Sequence, residues 1–321
     1  MRRLLVCHDG RFHPNPQPED ISEALKVPNQ TVWLDIRDPT DEDAALLQEE
    51  FNFHPLAIED SLRENQRAKV EVFDHYYFVV FYAALYDVDN KQIETQPLHL
   101  FIGANYLVSI HRGPIRQIDE TLRRWQTPNS PLGYRIGGLA HALLDAVVDD
   151  YFPLIDQVTD EIEDLEDTIF RTFKREAIQT IFSLKRDLLT LRRAVGPGRD
   201  VMNVLLRREL PIFKTQDIIY LQDVYDHVVR VTDSIDTYRD LLSNALDSYL
   251  SLQSNQQNQI LKVLTIASII LMANALIAGI YGMNFEFMPE LTWPYGYFYA
   301  LGLMATVTTG LIIFFRRMKW W

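Results

Sequence analysis

Two stretches near the C-terminus limit what this chain can be. No charged residue occurs from Val263 to Tyr281, and none from Leu291 to Phe315. A helix rising about 1.5 Å per residue needs roughly 20 residues to cross a hydrocarbon core of about 30 Å, and each stretch meets that length. Two spans return the chain to the side it left. Lys262 precedes the first, Arg316, Arg317 and Lys319 follow the second, and the connecting segment holds neither Lys nor Arg. The positive-inside bias therefore predicts both termini in the cytoplasm. Trp293, Tyr295, Tyr297, Trp320 and Trp321 fall at the expected boundaries, where amphipathic rings settle. At the other end, Leu4-Leu5-Val6 is too short an apolar run for a signal peptide, so membrane targeting is expected from the C-terminal spans.

The rest of the chain is acidic. Asp and Glu number 44 against 31 Lys and Arg, a formal net charge of -13, so a nucleic-acid role lacks its electrostatic footprint and cations are the expected partners. The single cysteine, Cys7, excludes an intrachain disulfide and fits a reducing compartment. No Walker loop, Gly-x-Ser-x-Gly or His-Glu-x-x-His occurs, so neither an enzyme nor a nucleotide requirement is expected. His54, His75, His99 and His111 read as packing or surface residues. Cys7-His8-Asp9 is discounted as a cluster, because neighbours on a strand point to alternating faces.

Upstream of the first span, Leu221, Val224, Val228, Val231, Ile235, Tyr238, Leu242, Ala245, Tyr249 and Leu252 keep a 3, 4, 3, 4 spacing, a heptad seam. No Pro or Gly lies between Pro211 and Gly279, which predicts one helix of about 60 to 70 residues running into the membrane. A second face then takes over: Asp247, Ser251, Ser254, Asn258, Leu261, Thr265, Ser268 and Met272, polar first and apolar later. Two arrangements give this pattern. One is a pore face in a bundle of parallel copies, a hydrated funnel leading into a greasy throat; the other is a surface stripe running into a lipid-facing helix.

The N-terminal part alternates strand and helix signals. Thr31 to Ile36, Tyr76 to Tyr86, Pro97 to Ile102 and Tyr106 to His111 read as strands, and Asp41 to Phe51 as an amphipathic helix. Ile136 to about Val195 reads as helical with a break near Phe173, and Gly196-Pro197-Gly198 as a turn. The expected organisation is an α+β membrane protein: an α/β cytoplasmic domain over 1–130, a helical hairpin region over 131–210 and a stalk helix over 211–262. The first span with its terminal motif covers 263–284, an extracytoplasmic loop 285–290, the second span 291–315 and a basic tail 316–321.

The first span ends Gly279-Ile280-Tyr281-Gly282-Met283-Asn284, and the loop continues Phe285-Glu286-Phe287-Met288-Pro289-Glu290-Leu291. This resembles the CorA family of magnesium channels, whose signature is a Gly-Met-Asn at the end of the first of two C-terminal spans, followed by an acidic Met-Pro-Glu-Leu loop. The resemblance covers nearly the whole chain and implies a homopentamer in the cell (inner) membrane. It would bring five copies of Asn284 around one axis, with Gly282 and Met283 completing the filter and Glu286 and Glu290 drawing cations to the mouth. Mg²⁺ sheds water reluctantly, and a neutral amide carbonyl can accept hydrogen bonds from its bound waters without the grip of a carboxylate ring. The pore residues carried over are Asn258, Leu261, Leu264, Met272 and Gly279, with Asp247 near the cytoplasmic mouth.

One ambiguity and one departure from the family pattern follow. Leu264 and Thr265 cannot both sit at the centre of one face, which leaves the helix rotation open. Many relatives have a proline after the residue matching Met272, whereas this chain has Ala273 and then Asn274; a straighter helix and an additional polar contact are expected.

The segments His54 to Asp60, Leu144 to Phe152 and Asp223 to His227 also look like CorA segments, at whose carboxylates the family binds regulatory Mg²⁺ between subunits. Carried over, these are Glu59, Asp60, Asp145 and Asp223, with Asp149 on the same segment as Asp145. The resemblance implies passive Mg²⁺ uptake, gated by intracellular Mg²⁺. The alternatives are a relative carrying Zn²⁺, Co²⁺ or Ni²⁺, coupled to protons, and a membrane-anchored Mg²⁺ sensor that does not conduct.

Overall fold

β-branched and aromatic runs between residues 30 and 111 pair into one mixed sheet, around which the N-terminal part is built. The computed structural model describes residues 1–13, 16–17, 21–63, 66–127, 130, 132–171, 176–207, 209–284, 286 and 288–320, without the side chains at 170, 171, 290 and 291. Phe173, Phe285, Phe287 and Trp321, and the side chains of Glu290 and Leu291, lie outside the described residues. In chain order the elements begin β1 (Arg2–His8), β2 (Arg11–Phe12), α1 (Ile21–Ala24), β3 (Gln30–Arg37), α2 (Asp41–Phe51), α3 (Pro55–Leu62), β4 (Lys69–Val72), β5 (Tyr76–Asp87), β6 (Gln92–Gly103) and β7 (Tyr106–His111). They continue with α4 (Arg116–Gln126), α5 (Ile136–Asp149), α6 (Tyr151–Arg171), α7 (Glu176–Val195), α8 (Gly198–Arg207), α9 (Thr215–Tyr281), a 3-10 turn (Pro289–Thr292) and α10 (Gly296–Arg317).

The sheet order is β2-β1-β3-β7-β6-β5-β4. β3 and β7 run parallel at its centre, Val32 opposite Tyr106 through Arg37 opposite His111, and every other pair is antiparallel. Every residue of β7 is buried, as expected for a strand covered on both faces. One face carries Val32, Leu34, Ile36, Phe78, Val80, Phe101, Val108 and Ile110, closed by Leu47 and Phe51 of α2, Phe53, and Ala57 and Ile58 of α3. Phe53 stacks on Phe101 with ring centroids 4.1 Å apart. On the opposite face Trp33 meets Trp125 of α4 at 6.0 Å, and Tyr77 meets Phe213 at 5.9 Å.

The helical stretch after residue 136 breaks once more than expected. α5 ends at Asp149 and α6 begins at Tyr151; Pro153 has no N–H to give the Asp149 carbonyl four residues earlier and crowds it, so the ladder is interrupted at this join. Asp150 is held there by Arg116 of α4, whose Nη2 donates to both carboxylate oxygens at 2.8 and 2.7 Å.

α9 runs unbroken for 67 residues and passes through Gly279 to Tyr281. Its start is fixed by Asp217, 4% exposed, which accepts from the Lys214 backbone N–H at 2.8 Å and from Arg135 Nη2 at 2.9 Å. Gly137 makes room for this carboxylate: a Cβ at that position would sit 2.3 Å from Asp217 Oδ2. The heptad seam closes within the chain. Leu221, Val224, Val228, Val231, Ile235 and Leu242 are fully buried in the single chain. Arg192 of α7 flanks the seam by donating to Asp236 at 2.6 and 2.9 Å, as does Lys185, donating to Ser243 at 2.9 Å. A 3.5-residue repeat reports one narrow buried stripe, whichever chain supplies the cover.

The chain divides into two compact units, Met1–Ala245 and Leu246–Trp321. The second consists of the remainder of α9, the 3-10 turn and α10, and α9 and α10 are both long and apolar enough to cross a membrane. Phe315 and Trp320 stack at 5.8 Å near the end of α10.

Candidate pore face and cation cluster

In the second unit the predicted pore stripe is exposed along its whole length. Asp247, Asn258, Thr265, Ser268 and Gly279 are solvent-facing, and Leu261, Leu264 and Met272 are exposed by 57, 59 and 71% in the single chain. Val263, Leu271 and Leu276, outside the stripe, are as exposed, and large apolar side chains left bare in this way need a cover, either lipid or other copies of the chain. The opposite face of the same segment carries Ile266, which is buried, and Ile270, Asn274 and Ile277, which are half-buried.

α9 ends without a left-handed residue. Gly282 donates its N–H to Ala278 O at 2.9 Å, and Met283 donates to Ile280 O at 3.3 Å, so the last turn tightens before the chain leaves the helix. Gly282 serves as a small residue in this turn rather than by adopting a positive φ. Met283, Asn284 and Glu286 follow with exposed side chains. The Glu290 backbone lies in the 3-10 turn Pro289–Thr292, where Thr292 Oγ1 donates to Pro289 O at 2.9 Å.

In the first unit the structure assembles a second group. Asp145 and Asp149 are four residues apart on α5 and so share a face, and His227 of α9 meets them there: one ligand atom from each of the three lies within 4.8 Å of the others. His227 Nδ1 is 3.3 Å from Asp149 Oδ1, and its Nε2 is 4.0 Å from Asp223 Oδ1. His141 Nε2 is 4.0 Å from Asp145 Oδ1. Burial, with repulsion from Asp149, raises the Asp145 carboxyl above the usual carboxylate range, and burial lowers the His141 imidazolium. His227 Nδ1 is buried and makes no hydrogen bond. An orphaned imidazole nitrogen facing two carboxylates, one destabilised as an anion, is a donor set suited to a divalent cation.

Of the predicted regulatory residues, Asp145 belongs to this group together with Asp149, and Asp223 lies beside it, 4.0 Å from the other ring nitrogen of His227. Glu59 and Asp60 are on α3 and hold other partners. Glu59 pairs with Arg63, and Asp60 accepts from Lys69 Nζ at 2.6 Å and Gln66 Nε2 at 2.9 Å. Sequence reasoning missed His227 and His141. The available signal was helical spacing, since His227 follows Asp223 and His141 precedes Asp145 by one turn each.

A family model described as CorA-like Mg²⁺ transporter protein matches residues 28–317. The cobalt/magnesium transport protein CorA of Thermotoga maritima is 38% identical over 272 residues, covering 84% of this chain and 77% of that protein. The cobalt/magnesium transport protein CorA of Methanocaldococcus jannaschii is 30% identical over 320 residues, covering 99 and 98%. The complete structure of the CorA magnesium transporter from Methanocaldococcus jannaschii superposes with a TM-score of 0.84, covering 99% of this chain and 98% of that one at 26% identity. With a model matched over nearly its whole length and relatives of this similarity, the chain belongs to the CorA-like Mg²⁺ transporter family.

Proposed function

We propose that this chain is the subunit of a homopentameric CorA-type channel that passes Mg²⁺ down its electrochemical gradient. The observation that carries the reading is the continuous exposed stripe from Asp247 to Gly279 on a helix that ends in Gly282-Met283-Asn284. Five such stripes facing one axis form a hydrated funnel and an apolar throat, with a ring of Asn284 amides at the entrance to hold the waters of a hydrated ion. Glu286 and Glu290 raise the local cation concentration. Both termini are cytoplasmic, and the protein sits in the cell membrane. No nucleotide enters the mechanism: moving two charges through 100 mV releases about 4.6 kcal/mol.

The acidic N-terminal unit is the sensor. Intracellular Mg²⁺ held by Asp145, Asp149, Asp223 and His227, with Glu59 and Asp60 facing a neighbouring subunit, neutralises carboxylates that otherwise repel and holds the ring closed. The Thermotoga and Methanocaldococcus relatives are named for cobalt as well as magnesium transport. The His227 imidazole favours a second reading, in which the sensor, and with it the pore, also accepts Co²⁺, Ni²⁺ or Zn²⁺.

Reconstitution into liposomes with separate Mg²⁺, Co²⁺, Ni²⁺ and Zn²⁺ flux assays tests these readings. Mg²⁺ influx driven by a negative-inside potential, lost in Asn284→Ala, is the expected result. Absence of any flux from well-folded protein would favour a non-conducting Mg²⁺ sensor, and Zn²⁺ flux that depends on a proton gradient would favour a coupled transporter.

A further inference from the structure

In the bilayer, the side-chain amide of Asn274 holds α9 to α10. Nδ2 donates one hydrogen bond to Ile270 O, a turn earlier on its own helix, and another to Thr308 Oγ1, both at 2.9 Å. The first bond pins the amide against α9, and the second spends its remaining proton on the neighbouring helix. Oδ1 is buried and without a hydrogen-bond partner, so the two N–H bonds define the contact. Three threonines cluster on α10, but their hydroxyls are used differently. Thr306 and Thr309 donate to Gly302 O and Ala305 O of their own helix, at 2.8 Å each, whereas Thr308 presents its oxygen to Asn274.

The contact sits opposite most of the face assigned to the pore, with Leu264 the exception at about 80° from Asn274. At about 100° per residue, Met272 lies about 160° around the helix from Asn274, and Leu261 and Gly279 about 140°. All three are exposed. Within about 60° of Asn274, Ile270 and Ile277 are half-buried where α10 lies against the helix, while Leu271 and Val263 stay exposed. A helix in hydrocarbon has no hydrophobic penalty for turning about its axis, because lipid is as apolar as the side chains it meets; directional hydrogen bonds and close packing set the rotation instead.

We propose that Asn274 is a positioning residue for conduction: its bond to Thr308 fixes the rotation of α9, so that Leu261, Met272 and Gly279 face the ion path. The inference rests on the channel reading above. An interhelical bond of this class biases a two-state rotation by roughly three- to thirty-fold, about 0.6–2 kcal/mol.

The test uses the full chain in liposomes, in a Cys7→Ser background, with a single reporter cysteine at Met272→Cys or Ile270→Cys. A water-soluble thiol reagent should label Met272→Cys at least tenfold faster than Ile270→Cys. Thr308→Val, which keeps shape and removes the acceptor, should cut that ratio at least threefold, and Thr308→Ser should restore it. Asn274→Leu should match Thr308→Val, and combining the two should add nothing. A ratio cut by less than threefold in Thr308→Val would overturn the proposal, and this conservative pair carries the test even if Asn274→Leu fails to assemble. Mg²⁺ flux of the unsubstituted chain is scored separately: its absence with the labelling ratio intact overturns the channel reading, whereas normal flux with an insensitive ratio overturns the clasp.

Discussion

His227 Nδ1 lies 3.3 Å from Asp149 Oδ1, joining α9 to α5 through a contact that is repulsive or attractive according to what occupies it. A divalent cation there should stabilise the detergent-solubilised chain, by about 2.7 kcal/mol at a hundredfold excess over the dissociation constant. Thermal unfolding with and without Mg²⁺ or Co²⁺ measures this. Asp149→Asn should weaken the response to both ions, and His227→Ala should weaken the Co²⁺ response more, because imidazole prefers the softer ion.

The same stabilisation should fade on acidification. Asp145 has its carboxyl pKa raised by burial and by Asp149, so protons compete for it at a higher pH than for an ordinary carboxylate. Divalent binding is therefore complete above the raised value and declines as pH falls through it. Titrating the Mg²⁺-dependent rise in melting temperature against pH checks the sign; a response that grew on acidification would contradict the assignment.

Lys69 competes with any cation at Asp60, to which its ammonium donates at 2.6 Å. The pair is part-buried at the protein surface, where an ion pair contributes on the order of 1 kcal/mol. Lys69→Met should therefore lower the Mg²⁺ concentration for half-inhibition of flux by up to about fivefold, whereas Asp60→Ala with Asp223→Ala should raise it. Unchanged inhibition in both would remove the α3 carboxylates from the sensor.

His99 gives a second pH dependence, away from the cation cluster. Burial lowers its pKa to about 4, against about 6.5 in an unfolded chain. Between these values the unfolded state binds the proton and the folded state does not, so stability rises with pH across the window. The full effect is about 3 kcal/mol, complete above pH 6.5 and lost toward pH 4. His99→Phe should flatten that portion of the melting-temperature profile.

Asp217 anchors the start of α9 through Arg135 and the Lys214 N–H. Asp217→Ala should cost about 2–3 kcal/mol, as a capping interaction and a largely buried pair are lost together. Gly137→Ala should cost about 1–3 kcal/mol by crowding the same carboxylate. Melting temperatures of the two variants and of the double substitution measure this, and the double should cost less than the sum, because both act on one contact.

Features that depend on local pattern were legible in the sequence. α2 and β7 have the bounds their periodicity predicts, the two membrane-length helices were read from charge and composition, and the Gly-Met-Asn that follows α9 was read from its resemblance to a family motif. The missed features depend on packing between distant segments. The first half of β6, Gln92 to Gln96, is too polar to read as a strand and is one because β5 supplies a twelve-residue partner. The break at Asp150, by contrast, had a signal, Pro153, whose missing N–H interrupts the helix four residues earlier at Asp149; Arg116 holds Asp150 at the join. Asp145 and Asp149 showed a one-turn spacing, but their meeting with His227 requires α5 to lie against α9. The polar contact expected at Asn274 had no partner until α10 placed Thr308 beside it.

The order of elements also bears on how the protein is made. β3 must wait for β7, the parallel neighbour at the sheet centre, so the sheet cannot close before His111 has been synthesised. Synthesis then runs through five helices and the first part of α9 before Val263 begins the uncharged stretch. Domains fold as units, N-terminal first, during synthesis. A ribosome translating this message can therefore carry a largely folded, acidic domain before the first of the two membrane-length apolar stretches leaves the exit tunnel, so insertion begins with a folded body already in tow.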